Sequence, residues 1–431
     1  MSNEALAFIV FCGGMLVLMG IGMNMALALV LTGAGMAYVL DFWDTQLLAQ
    51  NLVGGVDSFP LLAVPFFILA GELMNTGGIS RRIIDMAQAW VGHIRGGLGY
   101  VAIGAAILLS AMSGSALADA AAMSSILLPM MRKNGYPMAS SAGLIAAGST
   151  IGPIIPPSMA FVIYGVTTNT SISSLFLSGI VPGLMMGGGL LIAWRVVLRK
   201  MDLPAGGVAP SLKTRLVTTV NAVWALLMPV IIIGGMKSGI FTPTEAAVVA
   251  AFYALIISLA VHREMKFAEL RGVLVRAAKT TAIVMFLCAG AQVASYMITL
   301  ADLPSVLTGW LGPLVENPRI LMFVMMVVLV LVGTALDLTP TILIFAPVML
   351  PIAVKAGIDP VYFGLMFVLN GSIGLITPPV GTVLNVVAGV GRMPLHQVIR
   401  GVNPFLITYT LLLLLFVIFP QIVTAPIAWM R

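Results

Sequence analysis

The chain has 431 residues, of which 60% are hydrophobic and only 8% are charged, with a net charge of +6. A soluble globular domain carries roughly 25% charged residues, so too little polar surface is available for a soluble enzyme or a nucleic-acid-binding protein. A hydrocarbon core of ~30 Å needs about 20 apolar residues per helix, and the length therefore predicts an all-α polytopic membrane protein with roughly ten crossings.

Breaks in the apolar pattern divide the chain into five segments. In chain order we predict N-terminal helices over 1–59, a first repeat over 60–197, a linker with two further helices over 198–276, a second repeat over 277–420, and a C-terminal tail over 421–431. The basic residues predict the orientation of these segments.

Seventeen of the 21 Lys and Arg residues fall in five clusters. The clusters are Arg81/Arg82/Arg95, Arg132/Lys133, Arg195/Arg199/Lys200/Lys213/Arg215, Arg263/Lys266/Arg271/Arg276/Lys279 and Arg392/Arg400. Cytoplasmic loops carry an excess of Lys and Arg. We therefore expect these clusters in the cytoplasm and both termini on the outer side.

The sequence contains an internal repeat. Shifted by 222 residues, 128–182 aligns without a gap with 350–404. Apolar bias alone would produce scattered Leu, Val and Ala matches, whereas here Gly and Pro match, which is harder to obtain by chance. Examples are Gly152/Gly374, Pro156/Pro378, Pro157/Pro379 and Pro182/Pro404. Just upstream, 114–117 resembles 333–336, which predicts a three-residue insertion or deletion between the copies.

Charge indicates that the two copies are inverted. Residues 80–96 are basic, but their counterpart 302–317 has two acidic residues and no basic one. Conversely, 169–178 is uncharged, while its counterpart 391–400 carries two arginines and a histidine. Equivalent loops therefore lie on opposite faces, as in the inverted-topology repeats of many secondary transporters.

Each copy is predicted to contain a re-entrant hairpin followed by an unwound helix. The hairpins span about 97–133 and 319–355, and the unwound helices about 139–168 and 361–391. The hairpin tips are Ser113–Ser115 and Gly333–Asp337, and a Pro pair interrupts each following helix. Proline breaks a helix interior, and unwound backbone is tolerated at membrane depth only where it is buried in protein or lines a cavity.

Freed carbonyls and hydroxyls are hard oxygen ligands for a small cation, which predicts one cation site per repeat. The first site consists of Ser113, Ser115, Ser149, Gly152 and Pro153; the second of Gly333, Thr334, Asp337, Ser372, Gly374 and Thr377. Half-helix N-termini attract anions, so an anionic substrate is expected between the tips. Its predicted contacts are Ser115, Asp119, Pro156, Ser158, Thr334, Asn370 and Pro378.

Four carboxylates need individual interpretation. Asp119 and Asp337 lie near the tips, where an intramembrane carboxylate is a functional candidate, but each could instead cap the returning half-helix; the sequence leaves both readings open. Glu245 follows Thr242-Pro243-Thr244, a capping pattern that predicts a structural role. Glu72 is likewise predicted to be structural or interfacial.

Together these motifs resemble the large membrane subunit of the tripartite ATP-independent periplasmic (TRAP) transporters, over essentially the whole chain. The resemblance rests on the segments Phe66–Met74, Ser113–Ser115, Gly152–Ser158, Thr242–Ala246 and Gly374–Gly381. It implies an inverted-repeat elevator transporter with a scaffold and a moving transport domain, driven by sodium as the coupling ion, with no other cofactor.

The resemblance also implies where the protein works and with which partners. It implies the bacterial inner membrane, a small four-helix membrane subunit, and a periplasmic solute-binding protein that delivers an organic acid. That acid is a sugar or keto-sugar acid, a C4-dicarboxylate or a similar carboxylate. The N-terminal helices and the two helices of 198–276 would then belong to the scaffold.

Other functions fit less well. The nearest alternative is a stand-alone sodium/dicarboxylate symporter of the same plan, which would need no binding protein. An intramembrane protease would need a His-Glu-x-x-His zinc motif or a Ser/His pair, and neither pattern is found in the sequence. A channel gains nothing from two coupling-ion sites. The sequence has no Gly-x-x-x-x-Gly-Lys phosphate loop, so we expect no ATP hydrolysis by this chain.

Overall fold

The computed structural model describes residues 3–201, 203, 207–302, 309, 314–334 and 336–430, and over these ranges the regular structure is helical, without β-strands. Within them we number 19 α-helices in chain order. They are α1 (Asn3–Gly20), α2 (Met25–Val39), α3 (Thr45–Gly54), α4 (Ala63–Thr76), α5 (Ile79–Val91), α6 (Gly97–Ser113), α7 (Ala116–Lys133), α8 (Met138–Ser149), α9 (Met159–Thr168), α10 (Ile172–Leu198), α11 (Leu212–Lys237), α12 (Pro243–Ile256), α13 (Phe267–Leu300), α14 (Pro318–Gly333), α15 (Leu338–Lys355), α16 (Pro360–Gly374), α17 (Thr382–Gly391), α18 (Leu395–Ile418) and α19 (Gln421–Met430).

Helix length and composition agree with a multi-pass membrane protein. In the described part of the chain, seven helices are long and apolar enough to cross a membrane, and seven further apolar helices of 10–17 residues are shorter. The shorter group includes α6, α9, α14, α16 and α17, which are the hairpin arms and half-helices that the sequence predicts. The expected all-α fold class is therefore confirmed. Most of the predicted acidic stretch 302–317 lies outside the described residues.

The two repeats have matching helices. α7 and α15 each have 18 residues, and α9 and α17 each have 10. Each hairpin is followed by a left-handed glycine, with φ of +73° at Gly135 and +78° at Gly357. The Pro pairs Pro156-Pro157 and Pro378-Pro379 both have cis peptide bonds. The hairpins and interrupted helices are thus built twice from the same pattern.

The helix ends are spaced differently at the two tips. α7 begins at Ala116 and α15 at Leu338, which keeps the 222-residue spacing, whereas α6 ends at Ser113 and α14 at Gly333. Two residues therefore separate the helices at the first tip, and four separate them at the second. The three-residue length of the insertion stays a prediction, because the Leu336 N–H still donates to the Val332 carbonyl over 3.0 Å beyond the end of α14.

Contacts join the basic loops at one end of the bundle. Arg132 Nη2 donates to the Gly391 carbonyl over 3.1 Å, and Arg95 Nη2 donates to the Met201 carbonyl over 3.0 Å. The guanidinium of Arg215 lies 5.8 Å from the ring centre of Trp90 on α5. We call this end of the bundle the basic end.

The repeats interlock through a close helix crossing. A Cβ added to Gly143 on α8 would overlap the Gly401 carbonyl carbon on α18, so the two backbones touch. One turn further along α8, the Ala147 carbonyl accepts a hydrogen bond from the Tyr409 hydroxyl of α18 over 2.9 Å. The last long helix of the second repeat therefore fixes the interrupted helix of the first.

Candidate functional site

The first hairpin tip is a two-residue turn between α6 and α7. Gly114 adopts φ of +61°, a left-handed conformation that disfavours a side chain, and it ends α6. Ser115 then caps α7, because its hydroxyl accepts from the Ala118 N–H over 3.4 Å. The Ser115 N–H donates to the Ser113 hydroxyl over 3.2 Å, which closes the turn.

This tip packs directly on the first helix break. A Cβ added to Gly114 would overlap the Pro157 carbonyl oxygen. On the other side, a Cβ added to Gly152 would lie 2.9 Å from Asp119 Oδ2 and 3.2 Å from the Ser115 carbonyl carbon. The structure therefore brings together Ser113, Ser115, Asp119 and Gly152, which the sequence assigned to the first cation site and the substrate.

Asp119 is the buried carboxylate of this cluster, with 3% of its surface exposed. Its Oδ1 accepts from the Ser113 hydroxyl over 2.6 Å, whereas its Oδ2 is buried and has no hydrogen-bond partner in the described part of the protein. Ser115, not Asp119, caps α7. The capping interpretation of Asp119 is therefore wrong.

The remaining residues predicted at the first site lie in the break or at its ends. Ser149 is fully buried, and its hydroxyl donates to the Ala146 carbonyl over 2.8 Å. Ser158 caps α9 by accepting from the Phe161 N–H over 3.2 Å, and it donates to the Pro153 carbonyl over 2.6 Å. Pro156 and the whole segment 150–158 are buried, so the first break is closed off on all sides.

The second hairpin tip meets its break at two glycines. A Cβ added to Gly333 at the end of α14 would lie 3.2 Å from the Gly374 Cα at the end of α16. Thr334, next in the chain, donates its hydroxyl to the Leu331 carbonyl over 2.7 Å. Ala335 lies outside the described residues.

Asp337 connects this tip to the far half of the interrupted helix. It occupies the N-cap position of α15 without making a side-chain capping bond. Its Oδ1 instead accepts from the Thr382 hydroxyl, at the start of α17, over 3.2 Å. Thr382 was not among the residues predicted from the sequence. Its place directly after the Pro-Pro-Val-Gly break is nevertheless typical of a hydroxyl residue at the N-terminus of a half-helix.

The other residues predicted at the second site lie on α16 and its break. The hydroxyls of Ser372 and Thr377 donate to carbonyls one turn earlier, both over 2.8 Å. Asn370 is fully buried; its Nδ2 donates to the Met326 carbonyl over 2.6 Å, and its Oδ1 has no partner among the described residues. Pro378 is half-buried and the following two residues are exposed, so this break is open on one side.

Each of the two sites offers hydroxyl groups, carbonyl oxygens and one carboxylate as possible ligands. Among the described residues, His, Cys, Asp and Glu nowhere form a group of three or more that could hold a metal ion. Oxygen ligands of this kind suit a hard cation better than a transition metal that prefers thiolate or imidazole ligands.

The two remaining carboxylates have structural contacts, as predicted. Glu245 Oε2 accepts from the Thr242 N–H over 2.8 Å in a capping box at the start of α12. Glu72 pairs with Arg276 over 2.9 Å between α4 and α13.

Comparison with known proteins gives a consistent result. Residues 12–422 match the family model described as "Tripartite ATP-independent periplasmic transporter, DctM component". The chain is 50% identical over 426 residues to the 2,3-diketo-L-gulonate TRAP transporter large permease protein YiaN of Escherichia coli, covering 99% of this chain and 100% of that one. It is 41% identical to the C4-dicarboxylate permease DctM of Pseudomonas aeruginosa, covering 89% of this chain and 90% of that one.

More distant similarity extends to other members and to a solved structure. The sialic acid permease SiaM of Vibrio cholerae is 39% identical, with 95% of each chain covered. The crystal structure of the Alcanivorax borkumensis YdaH transporter superposes with a TM-score of 0.63 at 16% identity, covering 88% of this chain and 90% of that one. The latter similarity concerns the fold alone.

Proposed function

Because the chain belongs to the DctM-component family of tripartite ATP-independent periplasmic transporters, we propose that it is the large permease subunit of a sodium-coupled importer, in which an organic acid and sodium ions move inward together. The proposed sodium sites are the two tip-and-break clusters. The proposed substrate position is between the tips, at the residues predicted from the sequence.

The observation that carries the proposal is the environment of Asp119. One of its carboxylate oxygens is buried without a partner among the described residues, beside the tip serines and over Gly152, which has no side chain to fill the space. A buried, unpaired charge is costly. A sodium ion would supply the missing counter-charge, and the neighbouring carbonyls and hydroxyls would supply further oxygen ligands.

Asp337 supports a second site by its position and not by an oxygen without a partner. Its carboxylate bridges the second tip and α17 through Thr382, next to the touching glycines Gly333 and Gly374. Two sodium ions per transport cycle would release enough free energy to drive accumulation of a monoanion. Two sodium ions that each cross ~100 mV and a tenfold gradient release roughly 7.4 kcal/mol, and a monoanion costs about 2.3 of this, which leaves about 5 kcal/mol for accumulation.

We propose a sugar-acid monoanion as the substrate. The relative that is 50% identical over nearly the whole length is named for 2,3-diketo-L-gulonate, and the same coupling leaves only about 2.8 kcal/mol for a dianion. A C4-dicarboxylate is the second candidate, since the Pseudomonas relative is named for it.

The proposed mechanism is an elevator in the bacterial inner membrane. The basic end faces the cytoplasm, in keeping with the distribution of Lys and Arg, and both termini lie outside. A scaffold that includes the N-terminal helices holds a moving domain that contains both hairpins. A small four-helix subunit and a periplasmic solute-binding protein complete the transporter.

The test is sodium-driven uptake of diketogulonate and of a C4-dicarboxylate by proteoliposomes that contain the reconstituted complex. Ser115→Leu and Thr334→Leu should each abolish uptake, while Leu216→Val, on an exposed face of α11, should not. If both tip variants kept the original sodium-dependent rate, the site assignment would be wrong. Uptake that needs no binding protein would favour a stand-alone symporter.

A further inference from the structure

An apolar groove runs between α4, α12 and α13. It has a volume of about 290 Å³. Its walls are formed by side chains at helical spacing, among them Phe66 and Leu69 on α4, Val248 and Phe252 on α12, and Leu270 and Leu274 on α13. Every residue that lines the groove is apolar. The groove therefore offers a ligand apolar contacts only.

The groove occupies one half of the membrane. At 1.5 Å per residue, Phe66 lies about 15 Å along α4 from the helix end at Thr76, which is half of a ~30 Å hydrocarbon core. At that end the groove is closed by two contacts: the Ser258 hydroxyl donates to the Leu73 carbonyl over 3.1 Å, and Glu72 pairs with Arg276. The groove therefore reaches from mid-membrane to the basic end of the bundle.

Basic side chains lie where the groove reaches the basic end of the bundle. α13 has 34 residues and is about 51 Å long, so its first turns extend past the hydrocarbon. Arg271 lies three residues before Leu274 on α13, which places it next to a groove-lining leucine, and Lys266 is the N-cap residue directly before α13. Both side chains are exposed, and neither forms a salt bridge within the described part of the chain.

Neighbouring side chains favour an amphipathic ligand at this position. Phe267 is 79% exposed, one turn before Leu270 and Arg271. Arg276 already has partners, because it contacts Glu72 and also donates to the Thr76 hydroxyl over 3.1 Å. Lys266 and Arg271 are therefore the cations free to bind an external anion beside the groove.

We propose that this groove binds one anionic phospholipid. An acyl chain lies along Leu69 and Phe252, and Lys266 and Arg271 contact the headgroup phosphate. Charge complementarity selects an acidic lipid, because anionic headgroups attract clustered Lys and Arg at the membrane surface.

The experiment is native mass spectrometry of the purified complex, loaded in turn with phosphatidylglycerol and phosphatidylcholine. The wild type should retain one phosphatidylglycerol preferentially. The variant Lys266→Gln/Arg271→Gln should lose at least three-quarters of that adduct, with phosphatidylcholine binding unchanged. The matched control Lys200→Gln/Lys213→Gln removes two exposed cations elsewhere and should behave as wild type. Equal phosphatidylglycerol retention in both double variants would overturn the proposal.

Two further measurements test the groove itself. Leu69→Trp should fill the groove and displace the lipid while it leaves both cations in place; unaltered retention in a folded Leu69→Trp protein contradicts the proposal. A photo-cross-linking residue in place of Phe252 should label lipid. Labelling of the small membrane subunit instead would show that a protein partner, and not a phospholipid, covers this face.

Discussion

The two hairpin tips come from the same repeated pattern, yet they are held differently. The first is a two-residue turn whose carboxylate, Asp119, bonds within its own hairpin to Ser113 and lies over a completely buried break. The second has four residues between its helices, and its carboxylate, Asp337, bonds outside the hairpin to Thr382. Its break is exposed on one side.

This difference shows how a repeated sequence yields two unlike sites within one conformation. An inverted pair of hairpins opens toward opposite faces, so the two tips meet different surroundings when one face is closed. Both tips contact their breaks through glycines, but the first break is completely buried, whereas the second is exposed on one side and its tip is also joined to α17 by one hydrogen bond. We expect the first tip to tolerate change less than the second.

The largest expected effect comes from the tip glycines. Gly114→Ala forces a side chain into a left-handed conformation, which costs about 1–2 kcal/mol, and also into the Pro157 carbonyl oxygen. Gly333→Ala keeps a helical backbone and needs only a small shift of Gly374. Gly114→Ala should lower both the uptake rate and the melting temperature clearly more than Gly333→Ala. Equal losses would remove the distinction between the tips.

The second effect concerns the carboxylates. Asp119→Asn removes a buried charge whose Oδ2 has no partner in the described chain. We expect the sodium concentration for half-maximal uptake to rise at least about tenfold, which corresponds to 1.4 kcal/mol. Asp337→Asn, half-buried and bonded to Thr382, should raise it less. Glu316→Gln, an exposed carboxylate, is the control and should have no effect on sodium dependence.

A smaller effect is expected from the hydroxyl partners. Ser113→Ala removes a 2.6 Å bond to a buried carboxylate but leaves the carboxylate itself in place, so the rise in the half-maximal sodium concentration should be smaller than for Asp119→Asn. Thr382→Val removes a 3.2 Å bond in a more open place, for which about 0.5–1.5 kcal/mol is reasonable. Sodium titrations of uptake should rank the two variants in that order. The reverse order would indicate that the second tip is the tighter site.

The smallest expected effect comes from a histidine outside both tips, and it serves as a reference for the tip variants. Burial and the nearby Arg82 lower the pKa of His262, at the basic end after α12. Its contribution to stability is therefore complete above the unfolded pKa of about 6.5 and is lost as pH falls through the lower folded value. The wild type should lose more melting temperature between pH 8 and pH 5.5 than His262→Gln. His396→Gln, an exposed histidine, should match the wild type.

Both hairpins and both breaks could be predicted from the sequence. The difference between the two tips mostly could not. Gly114 readily adopts the left-handed conformation of a tight turn, and the proline pairs cannot continue a helix, so these residues located the tips and breaks. Hydrogen-bond partners such as Ser113 for Asp119, and Thr382 for Asp337, depend on how the turns close in three dimensions.

The crossing of α8 and α18 has a consequence for how such a chain is assembled. Because Gly143 and Gly401 touch and Tyr409 bonds to Ala147, the interrupted helix next to the first tip is braced by a helix made more than 250 residues later. During synthesis the first repeat must enter the membrane while this brace is missing. If the chain were cut in the linker near residue 207, neither fragment could fold completely alone. Both fragments would have to be co-expressed and inserted with opposite orientation before either could reach its final structure.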